Sequence, residues 1–498
     1  MKDRVALVLA GAAAALHLAV AGRYDLFRDE LYFIVCGSRP AFGYVDQPPL
    51  VPLLAASGYA LGAQTWAVRL PAIAAAAALV LLVVAFVRLL GGRDGAAWIA
   101  GTVAAFAPML LGIGATLNTT SFEPLAWTAI AYGIARVAVL DDRRALMWSG
   151  AVAGIALEAK YALPLWLLGL GLGIALAGER RIVRYRETWI GAGIAVALAS
   201  PSVLWQAAHG FPFVELVRNA HLKDADASPL AFALNQILVW NVLFAPVYLC
   251  GIVAPFVRRD LRAMRFVSIA FVFSAIAIVG GHGKDYYLAA AYPPVVAAGA
   301  VALERLVRSA ALRTAYLVLA FANSLVAAPL ALPILAPPTL AAYERALHLA
   351  PQEQERGATA DTIPSGFEDM LGWHDFVRET GAAWAKLTPD QRRTTSVLTD
   401  NYGEAAAIDL YGGPYGLPPA ISGHNEYYLW GLRGQRPANL ISVVDDPAGL
   451  RPYCASVTVL GITRATFARG FENGRSLAFC RGLRVSLAAD WPKIKHFI

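Results

Sequence analysis

Arg28-Asp29-Glu30-Leu31-Tyr32 and then Gly43-Tyr44-Val45-Asp46-Gln47-Pro48-Pro49-Leu50 follow closely on the first hydrophobic segment of the chain. Three carboxylates in one short loop need a reason if the loop borders lipid, because ionised groups there are costly unless they are paired or used. The composition supplies the lipid. The chain is 58% hydrophobic and 15% charged, with a mean hydropathy of +0.52, whereas a soluble domain is about 25% charged. The first two thirds therefore read as a polytopic α-helical membrane protein, and the acidic loop as the place to look for chemistry.

Apolar segments of roughly spanning length occupy residues 4–22, 64–87, 95–113, 121–140, 145–159, 161–177, 188–208, 229–256, 266–280, 286–303 and 314–336. This gives about eleven transmembrane helices, the fifth and sixth short and contiguous, with Glu158 and Lys160 at their junction. Basic residues test the count independently, since short cytoplasmic loops hold the Lys/Arg excess. Lys2/Arg4, Arg88/Arg93, Arg143/Arg144, Arg180/Arg181/Arg184/Arg186, Arg258/Arg259/Arg262/Arg265 and Arg305/Arg308/Arg313 all fall on the side of the N-terminus. The expected topology has a cytoplasmic N-terminus and an external C-terminal region, with the first segment a retained helix rather than a signal peptide. The formal charge of +7 follows from loops that face the membrane surface, and no nucleic acid is called for.

Pro337-Pro338 closes the last segment and separates a membrane domain, 1–337, from a second domain, 338–498. Residues 345–395 are polar with helical spacing. Thr395–Asp400, Leu440–Val444 and Ala455–Leu460 read as strands bounded by turn residues, and Gly403–Tyr411 as a helix between two of them. The expectation is an extracytoplasmic α/β domain of about 160 residues, enough for an independent core. Cys454 and Cys480 both lie in it; they form a disulfide if the compartment is oxidising, or remain two separate thiols. Cys250 reads as packing, and Cys36 has no obvious partner. No Cys/His spacing suggests structural zinc.

Given this topology, Arg23, Arg28, Arg39, Lys160, Arg218, Lys223 and Lys284 fall on the outer face, against the positive-inside bias. They are candidates to bind an anion, for which a lipid-borne phosphate at the interface is the natural form.

In order and spacing, the loop motifs resemble the first external loop of the GT-C glycosyltransferases of the glycosyltransferase family 39 type. That family includes protein O-mannosyltransferases and the bacterial aminoarabinose transferases acting on lipid A. Asn118-Thr119-Thr120-Ser121-Phe122-Glu123-Pro124, Lys160-Tyr161, Gly283-Lys284-Asp285-Tyr286-Tyr287-Leu288 and Tyr292-Pro293-Pro294 extend the resemblance over residues 1–336. It implies an inverting glycosyltransferase of a bacterial cytoplasmic membrane, with the catalytic loop at 23–63. Such an enzyme moves a sugar from a polyprenyl-phosphate donor to a cell-envelope acceptor: lipid A, another glycan, a glycolipid or a protein.

The same resemblance implies roles for residues. Asp29 is the candidate general base, with Glu30 orienting it or the acceptor; Asp46, Glu123 and Tyr44 organise substrate; Lys284, Arg218 and Lys160 bind the donor phosphate. The aminoarabinose transferases carry a lysine where Gln47 stands, which moves phosphate binding toward Lys284 and Arg218. In the external domain, Glu404 and His424 stand in loops that follow strands and are candidates for substrate contact. A divalent metal ion held by some of these carboxylates stays open.

Each residue also has a plainer reading. Asp29 caps a helix or pairs with Arg28, Lys284 pairs with Asp285, Lys160 pairs with Glu158, and His17 is a packed or hydrogen-bonded histidine. The alternative function is a multispan transporter or lipid flippase, and a third is a non-catalytic lipid-binding scaffold. A transporter would place its ionisable groups near the midplane in repeated halves, whereas these acids gather toward one face.

Overall fold

The computed structural model describes residues 3–223, 228–349 and 363–498, with the backbone alone for 220–223. All eleven apolar segments are helical. Among the described residues, five helices are long and apolar enough to cross a membrane: Thr65–Leu89, Arg186–Ala208, Arg259–Gly280, Asp285–Leu306 and Ala310–Ala331. The number reaches seven if two bent pairs, Asp94–Phe106 with Pro108–Ala115 and Pro229–Leu238 with Val242–Val257, each make one span. Arg4–Val20, Arg144–Leu157 and Leu163–Ala177 are apolar but shorter. The expected eleven spans therefore correspond to helices by position, while length and apolarity qualify fewer of them. The first bend has a local cause: Ala107 is extended, with φ −64° and ψ 126°, because Pro108 disfavours helical backbone at the residue before it.

Contacts divide the chain into two compact units that do not follow the linear split at 337/338. One comprises Met1–Arg23, Trp66–Leu204 and Asp226–Ile334; the other Tyr24–Thr65, Trp205–Ala225 and Leu335–Ile498. The acidic loop thus belongs to the unit that contains the C-terminal domain.

In the first unit, small residues set the helix packing. A Cβ on Gly299 would lie 1.8 Å from the Val247 carbonyl oxygen, and one on Gly251 2.0 Å from that of Val295. The helices Ala245–Val257 and Tyr292–Leu306 therefore approach backbone to backbone, as membrane helices do where glycine permits. Asp3 caps the helix Arg4–Val20 by accepting from the Val5 and Ala6 N–H groups and pairs with Arg88 at 2.7 Å. His17 is 2% exposed and its ring nitrogens lie 2.9 and 3.2 Å from the Ala13 and Leu111 carbonyl oxygens, a histidine satisfied by backbone.

The second unit is built on a five-stranded mixed sheet. Its strands are β1 (Thr395–Thr399), β2 (Ile421–Ser422), β3 (Asn439–Val444), β4 (Cys454–Ile462) and β5 (Ser476–Leu483), in the order β2-β1-β3-β5-β4. β1 runs parallel to β2 and β3, and β5 antiparallel to β3 and β4. β1, β3 and β4 lie where sequence placed strands; β2 and β5 were not read. Cys454 and Cys480 join β4 to β5 by a disulfide with Cα atoms 5.4 Å apart. The helical reading of 345–395 is met by Trp373–Ala385 and the short Ser365–Glu368 and Pro389–Arg393, while 350–362 lie outside the described residues.

Two short helices, Arg28–Gly37 and Leu50–Ala60, form the acidic loop. They pack so closely that a Cβ on Gly37 would lie 2.0 Å from the Pro52 oxygen. The first of them also packs on the helix Tyr402–Tyr411, where a Cβ on Gly403 would fall 2.6 Å from Arg28 Cγ.

Candidate active site

Asp29 and Glu30 are neighbours on a helix, so their side chains leave the axis about 100° apart and meet different surroundings. Glu30 is fully buried and reaches back to accept the Phe27 backbone N–H at 2.8 Å. That is the work of a third-position carboxylate satisfying an orphan donor at a helix start. Asp29 keeps 31% of its side chain exposed, with Arg28 Nε at 3.9 Å. Its Oδ1 accepts a 2.7 Å hydrogen bond from the Tyr402 hydroxyl.

Tyr402 packs against Tyr32 with the rings tilted by 34° and their centroids 4.7 Å apart, and Tyr32 performs the same service for a second acid. Its hydroxyl donates to Asp46 Oδ1 at 3.0 Å and accepts from the Glu426 backbone N–H at 3.1 Å. The Asn425 amide approaches the other Asp46 oxygen at 3.4 Å. Two adjacent tyrosines thus each hold one carboxylate of the loop. Among the described residues no cation is hydrogen-bonded to Asp46, and desolvation pushes its pKa up to about 7, helped by the Asp29 charge and opposed by the Tyr32 and Asn425 hydrogen bonds. Glu426, 4% exposed, accepts the Val45 N–H at 3.0 Å; burial, with a further push from Asp46, raises it to about 8. A partly exposed acid therefore stands in a group with two whose burial lifts them toward neutrality, an arrangement found at functional sites.

Tyr44 serves the loop's shape. It is fully buried; its hydroxyl donates to the Cys36 carbonyl at 2.8 Å, and its own carbonyl accepts from Gln206 Nε2 at 2.8 Å. The motif at Asn401–Glu404 contributes Tyr402 rather than the expected Glu404. Glu404 is fully buried, accepts the Asp400 N–H at 2.9 Å, and is pushed far above the usual carboxylate range by desolvation and by neighbouring Glu472. In the loop that holds His424, Asn425 and Glu426 face the acids, whereas the His424 ring is tilted against Tyr402 and stacks on His496. Sequence held one signal for Tyr402 and Asn425: both sit in the polar loops after strands that had already been singled out.

In the first unit a different set converges. Glu123, 7% exposed, begins the helix Glu123–Leu140 after a short turn capped by Asn118. Lys160 Nζ lies 2.7 Å from its carboxylate and 2.8 Å from the Thr120 hydroxyl, so the ion pair read for Lys160 goes to Glu123 and not to Glu158. The same ammonium lies 5.2 Å from the Tyr287 ring centroid and 6.0 Å from that of Tyr286, within reach of a cation–π attraction. Lys284 is half-buried at the start of that Tyr-Tyr turn, and Asp285 takes its hydrogen bond from Asn235 at 2.8 Å. Arg218 is an exposed residue of the helix Pro212–Lys223 in the second unit; the Lys223 side chain lies outside the described residues. Among the described residues no three His, Cys, Asp or Glu side chains are gathered as a metal site would need.

Comparison with known proteins agrees with this architecture. Residues 46–205 match the model of the dolichyl-phosphate-mannose-protein mannosyltransferase family. The fold resembles that of ArnT from Cupriavidus metallidurans. With undecaprenyl phosphate bound, that protein superimposes with a TM-score of 0.61 and 13% identity, over 95% of this chain and 97% of that one. Its apo state gives 0.57 and 15% over the same shares. The Archaeoglobus fulgidus oligosaccharyltransferase tethered to an acceptor peptide gives 0.52 and 14%, over 84% of this chain and 64% of that one. No protein of curated function matches the sequence. The chain thus has the fold seen in ArnT, with five to seven helices among the described residues long and apolar enough to cross a membrane and a C-terminal sheet domain.

Proposed function

We propose that this GT-C protein transfers a sugar from a polyprenyl-phosphate donor to an acceptor hydroxyl on the external face of a bacterial cytoplasmic membrane, with inversion at the anomeric carbon. The observation that carries the reading is the adjacent pair Tyr402 and Tyr32, each donating to one carboxylate of the loop. The undecaprenyl phosphate bound by the structurally similar ArnT supports a lipid-phosphate donor.

A sugar on a lipid phosphate already carries a leaving group, so the enzyme has to position a hydroxyl, take its proton and stabilise the departing phosphate. Asp29 is the group for the proton: it is the most exposed acid of the three, and the Tyr402 hydroxyl fixes one of its oxygens. As the acceptor oxygen bonds to the anomeric carbon, its proton passes to Asp29. The carbon–oxygen bond to phosphate breaks, and the polyprenyl phosphate leaves with the electron pair. Glu426, raised to about 8, and the fraction of Asp46 that keeps its proton, with a value of about 7, put less charge against that phosphate than two free carboxylates and can donate hydrogen bonds to a sugar or acceptor. Lys284, with Lys160 and Arg218, is assigned to the phosphate. Lipid A, another glycan, a glycolipid and a protein all supply a suitable acceptor.

The test is consumption of radiolabelled polyprenyl-phosphate sugars by the purified protein in lipid, with Asp29→Asn beside the wild type. Turnover by the wild type, lost by at least about 100-fold in a variant that still folds and binds the lipid, supports the assignment. An equally active variant overturns Asp29 as base, and a wild type inert to every donor overturns the transferase reading.

A further inference from the structure

Beside Asp46 runs a segment that the reaction scheme leaves unused. Residues 494–498 lie along the loop 422–428: the His496 N–H donates to the Gly423 carbonyl at 2.9 Å, and the Asn425 N–H to the His496 carbonyl at 3.0 Å, a short parallel bridge. The Ile498 N–H then donates to Asn425 Oδ1 at 3.2 Å. Asn425 Nδ2 faces the Ile498 oxygen and Asp46 Oδ2, each at 3.4 Å, and the His424 ring lies 3.2 Å from that Ile498 oxygen.

Asn425 has φ 46° and ψ −128°, a conformation that a residue with a side chain holds only where its surroundings over-determine it. The segment supplies that constraint, and it is itself anchored. Phe497 is 4% exposed and packs edge-on to Tyr428, 5.6 Å between ring centroids. Asn219 Nδ2 donates to its carbonyl at 2.8 Å, and Lys495 pairs with Glu215. Only glycine fits at 423, where a Cβ would lie 1.9 Å from the Ile494 oxygen.

We infer that Lys495–Ile498 is a positioning strap, which holds Asn425 in its strained backbone so that its side-chain amide stays on Asp46. Asn425 and the strap are positioning elements: they act through Asp46, and the inference rests on the reading of Asp46 as part of the site. The groups that face Asp46 are Tyr32 and Asp29 from one helix and Asn425 and Glu426 from the other side, with the His424 and His496 rings stacked 4.7 Å apart beside Asn425. A donor on the carboxylate favours its ionised form, so releasing the strap raises the pH at which Asp46 ionises.

The experiment reads that ionisation and not turnover, which separates its failure from failure of the transferase reading. Infrared difference spectra of the full chain in lipid, with Asp46→Asn as reference, give the titration midpoint of Asp46 in four proteins. These are the wild type, Gly423→Ala, a chain ending at Ile494, and Asn425→Gly, which removes the amide and relaxes the backbone while leaving the strap. The expected result is an upward shift of about one unit, the size of a lost hydrogen bond to a charged group, in all three variants. If Asn425→Gly shifts the midpoint and Gly423→Ala and the truncation do not, the strap is not what holds the amide. If Asn425→Gly leaves the midpoint in place, the amide does not act on Asp46. Either result overturns the inference; should the truncated chain fail to fold, Gly423→Ala and Asn425→Gly decide it alone.

Discussion

Asp46 with Glu426 in one unit, and Glu123 in the other, are acids held by partners of different kinds. Glu123 has an ammonium at 2.7 Å. Asp46 and Glu426 are surrounded by neutral donors, a tyrosine hydroxyl, an amide and a backbone N–H, and they hold protons instead, with pKa values of about 7 and 8. Partner type decides the outcome, since an opposite charge favours ionisation and desolvation alone opposes it. The paired acid is suited to holding structure or a cation, and the protonated ones to exchanging protons with a substrate near neutral pH.

The comparison breaks most visibly at Lys160. Lys160→Met leaves Glu123 enclosed without a counter-charge and should cost about 3–5 kcal/mol, read as a lower unfolding midpoint in denaturant; adding Glu123→Gln to the same chain should restore part of the loss. A single variant as stable as the wild type would mean that the pair is solvated and the contrast false.

Asp46 has neutral partners in place of an ammonium. Its native pKa lies above the ordinary value of 3.8, so as pH rises from about 4 to about 7 the unfolded chain releases a proton that the native protein keeps, and stability falls across that window. Asp46→Asn removes the fall. The variant's advantage in unfolding free energy should grow from pH 4 to pH 7 and then level, reaching roughly 1–3 kcal/mol after allowance for partial exposure, and is followed as a difference in Tm. Glu426→Gln should behave alike, levelling nearer pH 8 in keeping with its value of about 8. A Tm difference that does not change with pH would contradict both.

The smallest effect sharpens the account on the Asp29 side. Tyr402→Phe deletes the 2.7 Å donor but keeps the ring packed against Tyr32, so turnover should fall about fivefold to tenfold, of the order of one hydrogen bond to a partly exposed charge, with Tm nearly unchanged. An unaltered rate would show that Asp29 needs no positioning from the C-terminal domain.

Much of this was legible in the sequence because it is local. Apolar runs mark the helices, and Asp29, Asp46 and Glu123 stand out as acids near the ends of such runs. What was not legible depends on distant partners. Glu404 and Tyr402 share a helix, and only the fold decides that Tyr402 meets Asp29 while Glu404 turns to Glu472. Lys160 has an acid two residues away, yet the backbone turn after the helix Arg144–Leu157 brings it to Glu123. β2 is only two residues long, too short for an alternating pattern, and the apolar run of β5 is broken by Arg481-Gly482 before its last residue, so neither announces itself. Asn425 is a common loop residue, and its importance comes from a φ of 46° and from the Lys495–Ile498 segment, neither of which local pattern records.

The most direct measurement is the protonation of Asp46 itself, followed by the infrared carboxylic-acid band of the full chain in lipid as pH is raised, with Asp46→Asn subtracted. The account predicts a band lost with a midpoint near pH 7, as its pKa of about 7 requires, and absent from the variant. A midpoint in the ordinary carboxylate range, near 3.8, would show Asp46 to be charged at neutral pH and would erase the contrast with Glu123.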